Sequence, residues 1–558
     1  MTIAGKSWQF YLGQGVLIVL AFLAFWVCGM TVSEAAVTSA EDSLARSEME
    51  YGTWKEYHFD GLADENESGA GRQDAHYEPE KPAAKPSPAG ASDYDGGYAA
   101  RRQERGTWTD WHFSGSADYA KAKAEAERSQ QEAAHPKKID LPVSTVTVEG
   151  DYRMPEKRIR ALVPQLEEGK TADLKALAKE LQLVNDTSSV ELKVDFQPQE
   201  DNRYHATLKA TEKDPDSVGI TVSNTGNKYT GDWRTATSYV NRNFTQHGDT
   251  LGIMYVTSPG HWKDVKQAAL SYRLPLPHLA DSLTFTSSWS DVDLGKVYSY
   301  DNLLDLSASG KSYSFGLHYQ HNITYTSTRK DILDFGIDYK KYEDAYQWKL
   351  YGESVPVDYD FNVTTATLQY VHNERNSHRA FTWDLGYTAN LSGNAKDYET
   401  ATVGSDKHFG YWHGGISSLW RLPQDWRLSL RLRGQYTSNN LISTEQIGAG
   451  GTYTVRGFDE RVISADTGII GNLELYTPEP WPNSRFLLFF DCGDLTNNNG
   501  DASFHHNRLA SAGIGYRYET DSLSARLDYA FWTDDPDGFK DMSYSEHKRW
   551  NFMLSAKF

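Results

Sequence analysis

The sequence predicts an all-β transmembrane barrel of about 16 antiparallel strands, preceded by a small α+β domain and a largely disordered N-terminal extension. Three observations predict this architecture. Apolar and polar residues alternate through residues 216–558, tyrosine and tryptophan cluster at the ends of the predicted strands, and the chain ends on an aromatic residue, Phe558. Together they favour strands that cross a lipid bilayer over strands that pack in a soluble protein.

The alternation is sustained over many segments, among them residues 333–339 and 381–391. In the last strand, Trp550 starts an apolar series that continues at every second position to Phe558. One face of each strand would therefore contact lipid and the other face water. A soluble β-sandwich also alternates, but its buried faces favour aliphatic residues over the tyrosine and tryptophan found here. At ~20 residues per strand and connection, residues 216–558 hold about 16 strands.

The N-terminal part carries one long apolar segment, residues 16–30. It follows a basic residue and precedes a small-residue cleavage site near Ala35, which is typical of a secretory signal peptide over residues 1–35. A transmembrane anchor is the alternative, but a spanning helix needs about 20 apolar residues and this segment is shorter. The sequence therefore predicts export of the mature chain.

Composition and charge exclude several function classes. The formal net charge of −20 disfavours a nucleic-acid partner, because binding to phosphates requires a basic surface. Only Cys492 lies outside the predicted signal peptide, so an intramolecular disulfide is excluded and a cysteine-based zinc site is not expected. The sequence shows no catalytic constellation, nucleotide-binding motif or metal motif, and we expect neither an enzyme nor a cofactor.

Residues 36–140 have the composition of a disordered linker, rich in Ala, Gly, Ser, Glu, Lys and Pro. The linker contains two copies of a motif, at residues 51–64 and 105–118, each with Gly-Thr-Trp near its start, a His-Phe pair in its middle and an aspartate at its end. The copies are either docking motifs for an envelope partner or a duplicated linker without a partner. Residues 119–134 are Ala-rich with Lys and Glu at i,i+4 spacing, which predicts a helix.

Residues 141–215 have a pattern that predicts a small soluble module. The predicted order is strand, helix, helix, strand, strand, at residues 143–148, 155–166, 172–183, 190–196 and 204–211. Apolar stripes on the two helices would cover one face of the sheet. A generic α+β domain has the same pattern and stays open as an alternative.

A charged loop near the C-terminus is the strongest functional signal. Arg456 precedes Gly457 in a glycine-rich segment, and its permanent charge cannot face lipid. A guanidinium in a partly dry interior requires a carboxylate, and Asp491 shares a strand face with Phe489 and Gly493. We therefore expect an ion pair between Arg456 and Asp491. The alternative is that both are ordinary interior charges that face water.

These residues belong to a larger set of motifs. The set comprises Glu445, Gln446, Val455, Arg456, Gly457, Phe458, Asp466, Gly468, Glu474, Phe489, Asp491 and Gly493. Its spacing closely resembles that of the TpsB transporters of two-partner secretion, the haemolysin secretion/activation family. The resemblance implies a 16-stranded outer-membrane barrel whose sixth loop, here around residues 445–462, enters the lumen. The arginine would hold that loop to the aspartate on the barrel wall.

The resemblance also implies partners and a location. Residues 141–215 resemble a POTRA domain, which in this family captures an unfolded secreted exoprotein, the TpsA-like partner. An extended client could add to the edge of the sheet through main-chain hydrogen bonds. The barrel would contact the lipids of a Gram-negative-type outer membrane, with the module and the N-terminal extension in the periplasm. The C-terminal strand, with Trp550 and Phe558, would bind the barrel assembly machinery.

The chain departs from the family pattern because a single POTRA-like module is evident where two are usual. The predicted helix at residues 119–134 is a candidate for the N-terminal plug of the pore that many relatives have. Two alternative functions stay open. One is an insertase of the same superfamily, which assembles other barrels, and the other is a passive porin. The Glu445-Gln446 stretch and the single module favour export.

Overall fold

The computed structural model describes residues 100–105, 108–113, 140–227, 229–300, 304–350, 353–402, 404–498, 505–534 and 548–558. The predicted signal peptide, the first copy of the duplicated motif and the predicted helix at residues 119–134 lie outside the described residues. The described chain contains a hairpin, an α+β module and a closed β-barrel.

The hairpin lies in the segment predicted as a linker. β1 (Ala100–Arg105) pairs antiparallel with β2 (Trp108–Phe113), and Arg105 lies opposite Trp108. The second copy of the duplicated motif therefore contributes a strand that the linker composition did not predict. Composition averages over a long segment and does not detect one short strand of aromatic and β-branched residues.

The α+β module follows the predicted element order with two differences. It consists of β3 (Asp140–Asp151), α1 (Glu156–Ala161), β4 (Thr171–Asp173), α2 (Leu174–Thr187), β5 (Val190–Pro198) and β6 (Tyr204–Glu212). β4 was not predicted, because three residues are too few to show a period. α1 ends at Ala161 instead of residue 166 because Pro164 cannot continue a helix. The sheet order is β4-β3-β6-β5, with β3 parallel to β6 and β5 antiparallel to it.

The core of the module lies between its sheet and its helices. Val143 and Leu208 of the sheet are buried, as are Ile159, Leu177 and Leu183. Burial of a large aliphatic side chain contributes roughly 1.5–3 kcal/mol. The apolar stripes of the two helices therefore cover the sheet as the periodicity predicted.

The rest of the chain forms the barrel and its connections. In chain order the elements are β7 (Asp216–Ser223), β8 (Arg234–Asn241), β9 (Thr250–Thr257), β10 (Val265–Leu276), β11 (Asp281–Tyr300), β12 (Leu304–Tyr325), β13 (Arg329–Leu350), β14 (Glu353–Arg375), β15 (Arg379–Ser392), α3 (Ala395–Ala401), β16 (Gly410–Arg421), β17 (Arg427–Tyr436), β18 (Ile447–Ala449), β19 (Ile463–Ala465), β20 (Thr467–Tyr476), β21 (Ser484–Thr496), β22 (His506–Glu519), β23 (Leu523–Asp534) and β24 (Lys548–Lys557). All of these strands except β18 and β19 form one closed antiparallel barrel of 16 strands. The predicted fold class is confirmed.

The two faces of the barrel wall differ in polarity. The apolar side chains of Phe315, Ile337 and Leu385 are exposed on the outside, where they would contact lipid. The interior is polar, and the hydroxyl groups of Ser288 and Ser314 form a hydrogen bond of 2.7 Å. β11 to β14 contain 20 to 23 residues each, about twice the length that crosses a bilayer.

No α-helix in the described ranges is long and apolar enough to span a bilayer.

The barrel closes where β24 meets β7. Met553–Lys557 pair with Gly219–Ser223. Beyond this ladder, the backbone N–H of Phe558 donates to the carbonyl oxygen of Val218 at 2.8 Å. Trp550 is half exposed on the outer face, with its ring 4.3 Å from that of Tyr529 between centroids. The C-terminal residues thus complete the wall and contribute to its aromatic outer surface.

The module contacts the end of the barrel that carries the short turns. Lys179 of α2 lies 3.7 Å from a carboxylate oxygen of Asp281, next to the turn between β10 and β11. Asp186 of α2 forms an ion pair of 2.8 Å with Lys330, next to the turn between β12 and β13. In the first pair α2 supplies the positive charge, and in the second pair it supplies the negative charge. They fix which way α2 lies on the rim of the barrel.

Glu180 of α2 is a buried carboxyl group. Its Oε2 atom accepts a hydrogen bond of 3.1 Å from the backbone N–H of Gln165, and the residue is only 2% exposed. Burial raises the pKa of Glu180 to about 8, although that hydrogen bond opposes the shift. Glu in an unfolded chain has a pKa of about 4.3. Between these two values the folded module holds a proton that the unfolded chain releases.

We therefore expect the free energy of unfolding of the module to fall as the pH rises from 5 to 8, by on the order of 3 kcal/mol. Glu180→Gln keeps the shape and the acceptor, so it should remove most of this dependence. The measurement is the urea concentration at which protease cleaves the module within the full chain, at both pH values. The exposed Glu200→Gln is the control and should behave like the wild type. An undiminished pH dependence in Glu180→Gln would contradict the assignment.

Candidate functional site

The inward loop, residues 437–466, connects β17 to β20 and folds back inside the barrel. Within it β18 and β19 pair as a short hairpin. Gly450 and Gly451 follow β18 with φ angles of +110° and +104°, and Gly457 has a φ of +95°. Residues with a Cβ atom rarely adopt these left-handed backbone conformations. Glycine at these positions therefore allows the loop to turn within the narrow interior.

Apolar side chains attach the inward loop to the barrel wall. Val455 and Phe458 are buried in one cluster with Leu495 of β21. The ring of Phe458 stacks on Trp532 of β23, with centroids 4.4 Å apart and planes inclined by 14°. The indole N–H of Trp532 also donates to the carbonyl oxygen of Gly457 at 2.8 Å. The segment around the central arginine is therefore packed against the wall on both sides.

Arg456 and Asp491 form a bidentate ion pair. Nε of Arg456 lies 2.7 Å from Oδ2 of Asp491, and Nη2 lies 2.8 Å from Oδ1. The backbone N–H of Arg456 donates to the same Oδ2 atom at 3.1 Å. Arg456 is 4% exposed and Asp491 is fully buried. Because charge-assisted, bidentate hydrogen bonds are short and directional, this pair fixes both the position and the orientation of the guanidinium.

Further groups surround the same guanidinium. Nη1 of Arg456 lies 2.7 Å from Oε1 of Glu474 and 3.6 Å from Oδ2 of Asp528. Asp528 also accepts two hydrogen bonds from Arg517, at 2.7 and 3.0 Å. The guanidinium lies over the ring of Phe489, 3.6 Å from its centroid. We call this cluster the Arg456 anchor. It combines two arginines, three carboxylates and one aromatic face, and every charge in it has an opposite neighbour. Its members are Arg456, Arg517, Asp491, Glu474, Asp528 and Phe489.

β21 supplies the wall side of the Arg456 anchor through simple alternation. Phe489, Asp491 and Gly493 are on the inner face, whereas Phe490 is exposed on the outer face. Gly493 lies beneath the hairpin, where a Cβ atom would be only 2.9 Å from the Cβ of Ala449. Any larger residue at 493 would therefore push the inward loop away from the wall.

Asp466 organises the base of the inward loop. Its Oδ1 atom accepts hydrogen bonds from the backbone N–H of Leu441 at 2.8 Å and from Nε2 of Gln446 at 3.1 Å. Its Oδ2 atom accepts from the backbone N–H of Asn498 at 2.8 Å. Burial raises the pKa of Asp466 despite these hydrogen bonds. Gly468 is the second residue of β20, where a side chain would collide with Leu495 of β21.

The first half of the inward loop contacts a different part of the wall. The carboxylate of Glu445 accepts hydrogen bonds from Nζ of Lys340 on β13 at 3.0 Å and from the hydroxyl of Tyr411 on β16 at 2.9 Å. Glu445 is 4% exposed. The motif residues singled out in the sequence are thus divided among three places: the Arg456 anchor, the base of the loop at Asp466, and the contact of Glu445 with the wall.

Sequence reasoning did not find Asp528 or Arg517 as members of the Arg456 anchor, and it listed Glu474 only as part of a motif. Alternation assigns each of them to an inner face, but it does not give the register between strands. Asp528 lies opposite Gly515, and Arg517 lies opposite Arg526, only because β22 and β23 pair as they do. Their convergence requires the closed sheet.

The arrangement holds a loop against the barrel wall. Arg456 is a permanent cation, and its neighbours are hydrogen-bonded acids. Within the ranges that the structure describes, no group of three or more His, Cys, Asp or Glu side chains is placed to bind a metal ion.

The sequence model described as "Haemolysin secretion/activation protein ShlB/FhaC/HecB" matches residues 205–518, more than half of the 558 residues. The chain belongs to this haemolysin secretion/activation family. The match covers the end of the α+β module and the barrel wall through β22, including the complete inward loop. With the closed barrel, family membership identifies an outer-membrane β-barrel of a secretion family and not of an enzyme family.

Curated relatives agree with this membership. The chain is 24% identical over 280 residues to the heme/hemopexin transporter protein HuxB of Haemophilus influenzae (strain ATCC 51907 / DSM 11121 / KW20 / Rd), and 22% identical over 284 residues to HuxB of strain 86-028NP. Each match covers 49% of this chain and 48% of the relative. The chain thus spans about half the length of the curated relatives it matches.

Solved structures share the fold. CdiB from Escherichia coli superposes with a TM-score of 0.63 at 17% identity, covering 75% of this chain and 76% of that chain. CdiB from Acinetobacter baumannii superposes with a TM-score of 0.61 at 16% identity, covering 81% of this chain and 83% of that chain. At these identities the likeness concerns the fold alone.

We expect reversal of either charge in the bidentate pair to release the half of the inward loop that carries Arg456. Arg456→Asp would add a fourth carboxylate to the anchor, and Asp491→Arg would bring two guanidinium groups together. Breaking one side of a buried pair costs roughly 3–5 kcal/mol. Both variants should therefore conduct ions more often than the wild type in planar bilayers. The double variant, which exchanges the two charges, should conduct less often than either single variant.

Arg433→Asp is the matched control, because Arg433 is an exposed arginine on β17, opposite Ile470. It should leave the opening frequency near the wild-type value. Equal effects of Arg456→Asp and Arg433→Asp would show that Arg456 is an ordinary interior charge.

Proposed function

We propose that this chain is the outer-membrane translocation pore of a two-partner secretion pair, which captures an unfolded exoprotein and exports it to the cell surface. The observation that carries this proposal is the inward loop, which a buried ion-pair cluster attaches to the inner wall of a closed barrel. A pore that passes an extended chain must stay closed between clients. It therefore requires a segment that occupies one defined position in the lumen and can be displaced from it.

The short turns would face the periplasm, and the long connections would face the outside, as in other outer-membrane barrels. The module at residues 141–215 contacts the end with the short turns, which supports a periplasmic position for it and for the N-terminal extension. The exposed outer residues, including Trp550, would contact membrane lipids. The C-terminal strand would be the segment that the barrel assembly machinery binds.

The outer edge of β5 is the part of the module that fits an extended client. In the described sheet β5 pairs with β6 alone. The backbone N–H and carbonyl groups of Leu192 are already bonded to the side chain of Asn185, at 2.7 and 3.0 Å. Two residues further along, Val194 points its N–H outward because it has the same strand parity as Leu192. A client strand would pair there through main-chain hydrogen bonds, with little dependence on its sequence.

Translocation would then proceed without an energy-consuming site in this chain. The client binds at the module, enters the barrel from the side with the short turns and displaces the inward loop. Folding of the client outside the cell prevents its return and gives the process a direction. The role of the chain is to position the client and to open and close the path.

The experiment that tests this function deletes the gene in the native organism. We expect a large exoprotein encoded nearby to disappear from the surface and the medium, while other outer-membrane barrels assemble normally. A general loss of barrels would indicate an insertase instead, and unchanged secretion with a lost conductance would indicate a porin.

Val194→Pro tests the route through the module. Proline removes the outward N–H of the β5 edge without touching the ladder to β6, so we expect exoprotein secretion to fall several-fold. Val194→Ala keeps the N–H and should secrete like the wild type. Secretion is measured as exoprotein in the medium per folded barrel in the membrane. Equal secretion by the two variants would exclude this edge as the client site.

A further inference from the structure

A second ion pair, between the buried carboxylate of Glu445 and the partly buried ammonium group of Lys340, attaches the inward loop to wall strands that do not carry the Arg456 anchor. Lys340 and Tyr411 bind the two carboxylate oxygens of Glu445, at 3.0 and 2.9 Å. The backbone carbonyl oxygen of Glu445 also accepts a hydrogen bond of 3.0 Å from the side chain of Gln435 on β17. We call Glu445, Lys340 and Tyr411 the Glu445 anchor.

The two anchors use different strands of the wall: the Glu445 anchor uses β13 and β16, and the Arg456 anchor uses β20 to β23. Lys340 belongs to β13, and Asp491 belongs to β21. Along the barrel order β13-β14-β15-β16-β17-β20-β21, these strands are six steps apart in a ring of 16. The nearest strands of the two anchors, β16 and β20, are two steps apart, so the loop segment between Glu445 and Arg456 joins two attachments that share no strand.

Each anchor has its own apolar surroundings. Leu441 and Ile442, just before the Glu445 anchor, are buried in one cluster with Tyr342 and Phe361 of the wall and Tyr398 of α3. This cluster shares no residue with the one that contains Val455 and Phe458. The two halves of the inward loop are thus packed on two separate surfaces.

Hydrogen bonds join the first half of the inward loop to the connection between β15 and β16, which contains α3. The backbone N–H of Ser443 donates to the hydroxyl of Thr402 at 3.0 Å. The backbone N–H of Asn440 donates to Oδ2 of Asp406 at 3.0 Å, and the backbone N–H of Asp406 donates to the carbonyl oxygen of Asn440 at 2.8 Å. The connection and the first half of the loop would therefore move as one unit.

We infer that Glu445 is a positioning residue and that the Glu445 anchor is a second, independent closure of the pore. A buried carboxylate that loses its cation is strongly destabilised, so Glu445 keeps the first half of the inward loop against β13 and β16. Release of the Arg456 anchor alone leaves this half, with α3, across part of the interior. A path wide enough for an extended client requires release of both anchors. The inference rests on the proposed pore function.

A double-mutant cycle in planar bilayers tests this inference. Lys340→Met leaves Glu445 without its cation, and Glu445→Gln leaves Lys340 without its anion while Tyr411 keeps an acceptor. We expect each single variant to raise the fraction of time spent conducting by about tenfold, which corresponds to ~1.4 kcal/mol. The double variant has no unpaired charge, so its conducting fraction should return towards that of the wild type.

Two further variants distinguish positioning from a general structural role. Lys340→Arg retains the cation and should conduct like the wild type. Lys407→Met changes an exposed lysine of the same connection and should have no effect. Migration on unheated gels shows whether Lys340→Met forms a folded barrel. If it does not, the conducting fraction of Glu445→Gln alone decides the test, because this substitution preserves the shape of the side chain. A conducting fraction unchanged in Glu445→Gln, or additive effects in the double variant, would overturn the inference.

Exoprotein secretion is measured in the same strains, so that the two proposals can fail separately. A wild-type chain that secretes no client, with the cycle still non-additive, would refute export while the Glu445 anchor stands. Normal secretion with no response in the cycle would refute the second closure and leave the export function in place.

Discussion

The structure depends on keeping one permanent charge, the guanidinium of Arg456, away from bulk water inside a barrel. Removing an ion from water costs several kcal/mol, and this cost is offset only where opposite charges converge with good geometry. Asp491, Glu474 and Asp528 come from three different wall strands. A shift of one residue in the pairing of any of these strands would turn its carboxylate to the outer face. The inward loop and the register of the wall therefore specify each other.

Charges and apolar contacts have different roles in this arrangement. The stacking of Phe458 on Trp532 and the burial of Val455 provide attraction without direction, whereas the ion pairs select one position of the loop. A buried ion pair adds little net stability, because desolvation opposes the Coulomb attraction. Once water or a client enters, the same pairs can separate at modest cost. The ion pairs thus hold the inward loop in one position while adding little net stability. This combination suits a loop that closes the pore and must open repeatedly.

Much of this could be predicted from the sequence, because period-two alternation and glycine-flanked charge are local signals. Alternation predicts the barrel and places Asp491 on an inner face, so its pairing with Arg456 can be expected from the sequence alone. Register between distant strands is not a local property, and for that reason Asp528 was missed. The partners of Glu445 were missed for the same reason, since Lys340 precedes it by 105 residues. β4 and β2 were too short to show a period.

The attachment of the inward loop is tested most directly by an electron-microscopy reconstruction of the full chain in a lipid bilayer disc, at a resolution that shows side chains. We expect a closed barrel of 16 strands, with the hairpin of β18 and β19 inside it and the guanidinium of Arg456 in contact with Asp491. A map with the inward loop outside the barrel, or with that guanidinium distant from every carboxylate, would contradict this arrangement.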